Sequence, residues 1–465
     1  MNQTADKIYS FRLHSINPAN GTSIEKHSEL TESNLENRLE SLAQGFQKWR
    51  SIPLSERLEA LKSIKSSLRN NESSLADTVT LETGKPIAQS LAEIRKCVDL
   101  CDYYINTSHS ILEPTTVDTP FEKSYYTLKP LGTVLLIMPW NYPIWQVFRT
   151  MVPALALGNV VALKHAGNVQ LCAKKIETLL DDAGIPEGIF VNLPIEETLT
   201  RQAINHPTIK GVSLTGSVNA GKSVAALAGK RLIKSVMELG GNDPLIVLKD
   251  ADLQLAAEKT VAARMTNCGQ TCISPKRIIV DRSIHDEFTS LLLNEISKYK
   301  ASDPRHVDCK LGPMARADIL HSFQTKLNQA RAKGARCLFG GNAIDSNGFW
   351  HEPTLFTNLP RDPDMVNDEV FGPALYLYTS KNEADALEFA NQGRFGLGAS
   401  LFTRDLEKAE KLANDSIHAG SVFINSTVKS HPKLPFGGIG ESGYGRELGP
   451  HGLSEFANVK TIAIK

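Results

Sequence analysis

Apolar positions recur at three- and four-residue spacing across residues 33–112. Leu39, Leu42, Phe46 and Trp49 form one stripe, and Leu58, Leu61 and Ile64 another. That period puts one side of each segment against a core and predicts amphipathic helices. Pro53 separates the two stripes, because its ring and missing N–H interrupt a helix. From about 113 to 132 the period changes, and β-branched and aromatic residues alternate with polar ones. This predicts an exposed antiparallel ribbon. Unbroken apolar runs follow at 133–138, 159–163, 189–193, 211–214 and 244–248, with helical stretches such as 168–182 and 219–229 between them. Such runs read as strands buried on both faces, so the alternation predicts a mainly parallel sheet wrapped by helices. A second α/β section starts near 250, with candidate strands at 277–281, 336–339, 375–378, 398–402 and 421–424. The tail 455–465 ends in Thr461-Ile462-Ala463-Ile464-Lys465, a strand that pairs with the ribbon or with another subunit's edge.

The chain has 465 residues, more than one ordinary core holds, so two or three domains are expected. The stretch Tyr142–Leu163 is the most apolar, yet it contains Arg149, Pro153, Gly158 and Asn159. An unpaired arginine amid lipid is costly, so this stretch reads as a buried helix followed by a strand, not a membrane span. Lys plus Arg and Asp plus Glu both number 51, which leaves no global field to draw nucleic acid or an anionic membrane. The seven cysteines are odd in number and scattered, and none has a His or Cys partner at zinc-site spacing. They predict neither a disulfide framework nor a metal. With no apolar core in the first twenty residues to suggest a leader, a cytoplasmic protein is expected.

Six clusters carry candidate chemistry. Pro139-Trp140-Asn141-Tyr142-Pro143 follows one strand and precedes a helix, with Pro143 near its first position. Ligands of open α/β sheets bind at that end of the strands. Asn141 therefore reads as an amide donor to a developing oxyanion, or as an N-cap. Thr215-Gly216-Ser217 is again a turn from strand to helix, suited to a phosphate or simply tight. It is neither GxGxxG nor a P-loop. Glu238 stands between apolar neighbours and the pair Gly240-Gly241, as a desolvated base or a salt-bridged surface group. Asn267-Cys268-Gly269-Gln270-Thr271-Cys272 offers two thiols, and a nucleophilic thiol needs a positive field or a base. Spacing alone does not say which reacts. Glu369-Val370-Phe371-Gly372-Pro373 and the glycine-rich Pro435–Glu447 complete the set. Five glycines in those last 13 residues imply backbone held close to a ligand or a subunit.

Taken in order, PWN, LTGS, MELGG, GQTC, EVFGP and PFGG…SGYGRE resemble the aldehyde dehydrogenase superfamily from about residue 35 to the C-terminus. The resemblance implies an α/β fold with a Rossmann-like cofactor domain (1–112 and 131–237) and an α/β catalytic domain (238–440). A small β oligomerisation ribbon and C-terminal tail (113–130 and 441–465) would assemble a homodimer or homotetramer. It further implies Cys272 as nucleophile and Glu238 as the base for the deacylating water. Asn141, with the Cys272 backbone N–H, would be the oxyanion donor. Lys164 would hold the adenosine ribose, and Gly216 and Ser217 the pyrophosphate turn. Glu369 and Phe371 would meet the nicotinamide ribose and ring, with Trp140 beside the cofactor. The implied cofactor is NAD or NADP, and the substrate a small aldehyde oxidised through a thiohemiacetal and thioester.

Finer wording (IMPWNYPIWQVFR, LKHAGNV, LGGNDP, VKSHPKLPFGG) resembles the short bacterial succinate-semialdehyde dehydrogenases. Arg149 matches an arginine that binds the substrate's distal carboxylate there, and a guanidinium fork suits a carboxylate. The alternative is an arginine snorkelling from a helix edge. Lys429 and Ser430 are further candidates for that site. Gly167 stands three residues after Lys164, where the resemblance implies that NAD-preferring relatives often carry an acidic residue that would repel a 2′-phosphate; only Lys164 or His165 is left to grip one. Cys268 reads either as a packed thiol or as a disulfide partner of Cys272. The rival reading is a cofactor-free thiol esterase using Cys272 and Glu238, which leaves LTGS and EVFGP without a task.

Overall fold

In the computed structural model, which describes residues 13–465, the helical stripes fold as Glu32–Trp49, Leu54–Asn70, Glu72–Thr83 and Ile87–Ile111. Thr31 caps the first by accepting the Asn34 N–H at 3.1 Å. Pro53 stands immediately before the second helix, where its missing N–H costs nothing. Leu39, Leu42, Leu61 and Ile64 are buried, each worth roughly 1.5–3 kcal/mol relative to exposure.

Two sheets carry the α/β part. The first is six-stranded, in the spatial order Gly443–Tyr444, Lys234–Glu238, Ile209–Thr215, Thr133–Met138, Val160–His165 and Phe190–Asn192. All its pairings are parallel except that of Gly443–Tyr444, where Gly443 faces Glu238. The second is seven-stranded: Arg336–Phe339, Thr354–Thr357, Ala374–Ser380, Arg277–Asp281, Pro244–Val247, Gly398–Phe402 and Ser421–Ile424. Only its first pair is antiparallel. A third sheet of three strands joins Ala457–Ile464, Lys123–Pro130 and Thr115–Thr116. The tail therefore pairs with the ribbon of its own chain.

The α/β class is as expected, with four departures from the pattern. The run 244–248 belongs to the second sheet, as Pro244–Val247, and not to the first. Lys234–Glu238 takes the expected place, and its polar Lys234, Ser235 and Glu238 hid it from an apolar-run search. Residues 443–456 also return to the first layer instead of the ribbon. Gly443–Tyr444 extends that sheet, and Leu448, Leu453 and Phe456 bury in its core. Thr354–Thr357, only four residues long, was not foreseen.

The chain passes from one core to the other between Leu239 and Leu245. In the first sheet, Thr133–Met138 leads outward to Val160–His165 and Phe190–Asn192, and Ile209–Thr215 then returns to its other flank. The carboxyl ends of Thr133–Met138 and Ile209–Thr215 thus flank the switch point where an open sheet binds ligands. The PWN and TGS turns both leave from there.

Candidate active site

The GQTC loop begins where the helix Leu253–Met265 stops. Asn267 and Cys268 then take positive φ of 52° and 54°, a region that non-glycine residues enter at a cost. Their surroundings hold them there. The Asn267 N–H donates to Gln89 Oε1 at 2.8 Å, and its side-chain amide to the Asn141 carbonyl at 2.8 Å. Gln270 Oε1 accepts the Ala315 N–H at 2.9 Å. Gly269, at φ 69°, lies so close to Gly372 that a Cβ would sit 2.1 Å from its carbonyl oxygen. Only glycine lets the thiol loop lie against the EVFGP segment.

Asn141 is buried and is not an N-cap. Its helix starts at Trp145, and the Ile144 and Trp145 N–H groups donate instead to Glu93 Oε1 at 2.9 and 3.0 Å. The Asn141 amide donates to the Gln270 carbonyl at 2.9 Å and its oxygen accepts from Gln146 Nε2 at 3.1 Å. Tyr142 Oη and Thr271 Oγ1, 3.2 Å apart, make a second link between the PWN and GQTC loops.

Cys272 is half-buried, and burial pushes its thiol up to about 12, with Lys276 and Arg149 pulling down and Glu369 and Asp243 pushing up. Glu238 is 2% exposed, and burial raises its carboxyl well above the usual carboxylate range. Arg149 and Arg446 oppose that shift, and Glu447 adds to it. Glu238 Oε1 has no hydrogen-bond partner among the described residues, and a Cβ on Gly437 would come within 2.8 Å of it. A substituted residue there would occupy the space the carboxyl uses.

Arg149 decides between its two sequence readings only as far as burial goes. It does not snorkel from a helix edge, being only 3% exposed. Its Nε pairs with Glu447 Oε2, and its Nη2 donates to Thr215 Oγ1 at 3.2 Å. The guanidinium also stands 5.1 Å from the Phe436 ring centroid. Thr150 and Ser213 hydroxyls donate to the other Glu447 oxygen. Arg149 is thereby tied to the chain along one edge and lies within electrostatic reach of both Cys272 and Glu238.

Around the switch point, Lys164 lies near the end of its strand half-buried, with its pKa lowered by burial. Ser217 caps the helix Val218–Lys230 by accepting the Ala220 N–H at 3.3 Å. The Gly216 N–H donates to the Glu238 carbonyl at 2.9 Å, joining the TGS turn to the MELGG strand. Trp140 and Phe371 meet edge to face at 5.9 Å. Asn168, just after Lys164, keeps both polar side-chain atoms buried without a partner among the described residues. His165 is excluded as a phosphate grip. It is 1% exposed, and burial lowers its pKa to about 4. Its Nε2 donates to the Pro143 carbonyl at 2.8 Å, and its Nδ1 accepts the Ala166 N–H at 2.9 Å.

A model of the aldehyde dehydrogenase family matches residues 7–462. The chain belongs to the aldehyde dehydrogenase family. It is 41% identical over 452 residues to the probable succinate-semialdehyde dehydrogenase, NADP(+), of Synechocystis sp., with 97% of this chain and 99% of that one covered. It is 40% identical over 450 residues to the succinate semialdehyde dehydrogenase, NAD(P)+, Sad of Escherichia coli K12, covering 96% and 97%. The crystal structure of succinic semialdehyde dehydrogenase from Streptococcus pyogenes in complex with NADP+ superposes with a TM-score of 0.95 at 34% identity, over 97% and 99% of the two chains.

Three charged residues of this family member escaped the sequence reading. Lys276, 1% exposed, donates to the Thr271 carbonyl at 3.1 Å and to that of Cys272, and pairs with Glu369 Oε1 at 3.1 Å. Its place four residues after Cys272 was the only signal. Glu447 was visible only as the end of a glycine-rich motif. Lys96 sits in an otherwise unremarked helix and donates to Ser430 Oγ at 2.5 Å. Ser430 thus joins the cluster through Lys96, whereas Lys429 is exposed and makes no hydrogen bond or ion pair among the described residues. Cys268 packs in the second core with its sulfur 3.8 Å from Met314 Sδ, while Cys272 packs against the first. That arrangement favours a packed thiol over a disulfide partner.

Proposed function

We propose that this chain oxidises a short ω-oxo acid of the succinate semialdehyde type to the dicarboxylic acid, through a thioester on Cys272 and with NAD or NADP. The observation that carries this reading is that the Asn141 amide is tied to the Cys272 loop, while Cys272 and the buried Glu238 both lie within electrostatic reach of one cation, Arg149. The named activities of the Synechocystis and E. coli relatives support the substrate class.

The residues at the switch point fit a dinucleotide. Lys164 offers a cation, the Ser217-capped helix its N-terminal N–H groups, and Asn168 an unpartnered amide. Glu369 and the Trp140–Phe371 edge would face the nicotinamide half. Gly167 brings no negative charge against a 2′-phosphate, so NADP is accepted, as in the NADP+ complex of the Streptococcus pyogenes relative. When bound, the dinucleotide supplies the hydride acceptor that no side chain can be.

The chain's own groups do the rest. The Cys272 sulfur, as thiolate, bonds to the aldehyde carbon and forms a thiohemiacetal oxyanion. The Asn141 amide and the Cys272 backbone N–H donate to that oxygen. Loss of hydride leaves the thioester. Glu238 then takes a proton from water, the hydroxide adds to the acyl carbon, and the thiolate departs as the acid is released. The three-stranded ribbon sheet would seat a second subunit in a homodimer or homotetramer, and the protein would work in the cytoplasm. Among the described residues no helix is long and apolar enough to cross a membrane.

Steady-state kinetics with succinate semialdehyde, glutarate semialdehyde and butanal, each with NAD and NADP, test the reading. A kcat/KM at least tenfold higher for an oxo acid than for butanal is expected. Ester cleavage without reduction of either dinucleotide would overturn it.

A further inference from the structure

Lys96 is a half-buried cation that makes no ion pair among the described residues. It lies on the helix Ile87–Ile111 and stands 4.1 Å above the Trp145 ring. Its ammonium donates to a neutral hydroxyl, Ser430 Oγ, at 2.5 Å. Among the described residues no carboxylate lies within ion-pair distance of it. Trp145 begins the helix that carries Arg149 one turn later, so the two side chains share a face. The ammonium and the guanidinium are therefore neighbours, and each reaches Cys272 electrostatically.

Two like charges side by side and away from water repel each other, and burial compounds the cost. Glu447 pairs with Arg149, whereas Lys96 has no ion-pair partner among the described residues and feels a weaker pull from Glu93 on its own helix. The group that relieves the arrangement is an anion entering from the Cys272 side. A substrate with its aldehyde at Cys272 and a carboxylate a short spacer away supplies one. Resting on the oxo-acid reading above, we propose that Lys96, with Ser430, receives the distal carboxylate and sets the preference for ω-oxo acids over uncharged aldehydes. Arg149 reinforces the field while staying tied to Glu447. Aromatic Trp145 beneath the ammonium adds cation–π stabilisation without neutralising the charge.

The same surroundings make the grip sensitive to pH. Burial and Arg149 lower Lys96 to about 8, against smaller upward pulls from Cys97 and Glu93 on its own helix and from Cys272. The free enzyme therefore loses this charge as pH rises through about 8. The kcat/KM for the oxo acid then falls relative to that for butanal.

The test compares wild type, Lys96→Met, Lys96→Arg and Ser430→Ala on succinate semialdehyde and butanal between pH 6.5 and 9.5. A charge-assisted contact of this kind predicts a KM for the oxo acid raised roughly 10- to 100-fold in Lys96→Met, with kcat changed far less. Its loss on butanal should be at least tenfold smaller. Lys96→Arg should restore discrimination and abolish its decline above pH 8, because arginine stays protonated. Equal loss on both substrates in Lys96→Met, with no rescue by arginine, would make Lys96 a structural residue and overturn the proposal. A wild type that prefers the oxo acid, with a Lys96→Met that prefers it equally, would do the same while sparing the function. A wild type indifferent to the carboxylate would overturn both.

Discussion

Lys276 Nζ lies 3.1 Å from Glu369 Oε1, so the carboxylate implied to hold the nicotinamide ribose is paired with a lysine that also donates to the backbone of Cys272. One buried cation therefore links Glu369 to the backbone of Cys272. It is also the foremost of the charges opposing the upward push of burial on that thiol.

Lys276→Met should raise the Cys272 pKa further. Each unit lowers the thiolate fraction tenfold below the pKa. The rate of Cys272 alkylation by iodoacetamide at pH 7.5 is expected to fall about tenfold, a pKa unit being the ordinary size of such a neighbour effect. Mass spectrometry of the labelled peptide reads it directly. An unchanged alkylation rate would show that Lys276 serves Glu369 alone.

Glu238 gives a pH signature with a definite sign. Its folded-state pKa lies above its unfolded value, so a carboxylate able to act in the proposed deacylation forms only as pH rises beyond the usual carboxylate range. Thioester hydrolysis should therefore climb with pH through that raised value. In Glu238→Gln the limb should vanish, and one equivalent of reduced cofactor should appear per subunit before turnover stalls. The same shift acts on folding. The stability that protonated Glu238 lends below its unfolded pKa is lost as pH climbs to the folded one. Glu238→Gln should accordingly melt higher than wild type at alkaline pH and alike at acidic pH.

Asn141→Ala removes an amide aimed at the thiol loop. If that amide meets the oxyanion, kcat should fall about 10²- to 10³-fold, corresponding to about 2.7–4 kcal/mol. Substrate affinity should change little. Quenched-flow measurement of the hydride-transfer burst separates this from slower deacylation.

The Arg149–Glu447 pair is almost wholly buried, at 4% and 3% side-chain exposure. Removing one partner leaves a bare charge inside the protein, at a cost of about 3–5 kcal/mol. Glu447→Gln and Arg149→Met should each lose stability of this order in urea denaturation. The double substitution should lose less than the sum. Simple additivity would mean that the pair is not coupled.

The chain's order of motifs was enough to announce the family, the likeness of Cys272, Glu238 and Asn141 to its working residues, and most strands of both sheets. Those are local properties: an apolar run, a glycine beside a thiol, a strand followed by a turn. Charge pairing was not legible. Arg149 read as a free fork, and its partner Glu447 lies almost three hundred residues away. Lys96 carried no signal, because its ring partner Trp145 and its hydroxyl partner Ser430 come from distant segments. The assignment of Pro244–Val247 to the second sheet was equally hidden, since a short apolar strand does not say which neighbours it will bond.

Sequence alone therefore determined the elements, the family and the kinds of reactive group, because side-chain chemistry and hydrophobic period travel with the residue. Tertiary structure alone decided which charges are neutralised and which stand open. An ionisable group's energy depends on what lies within a few ångströms of it and on how much water is excluded, and folding sets both.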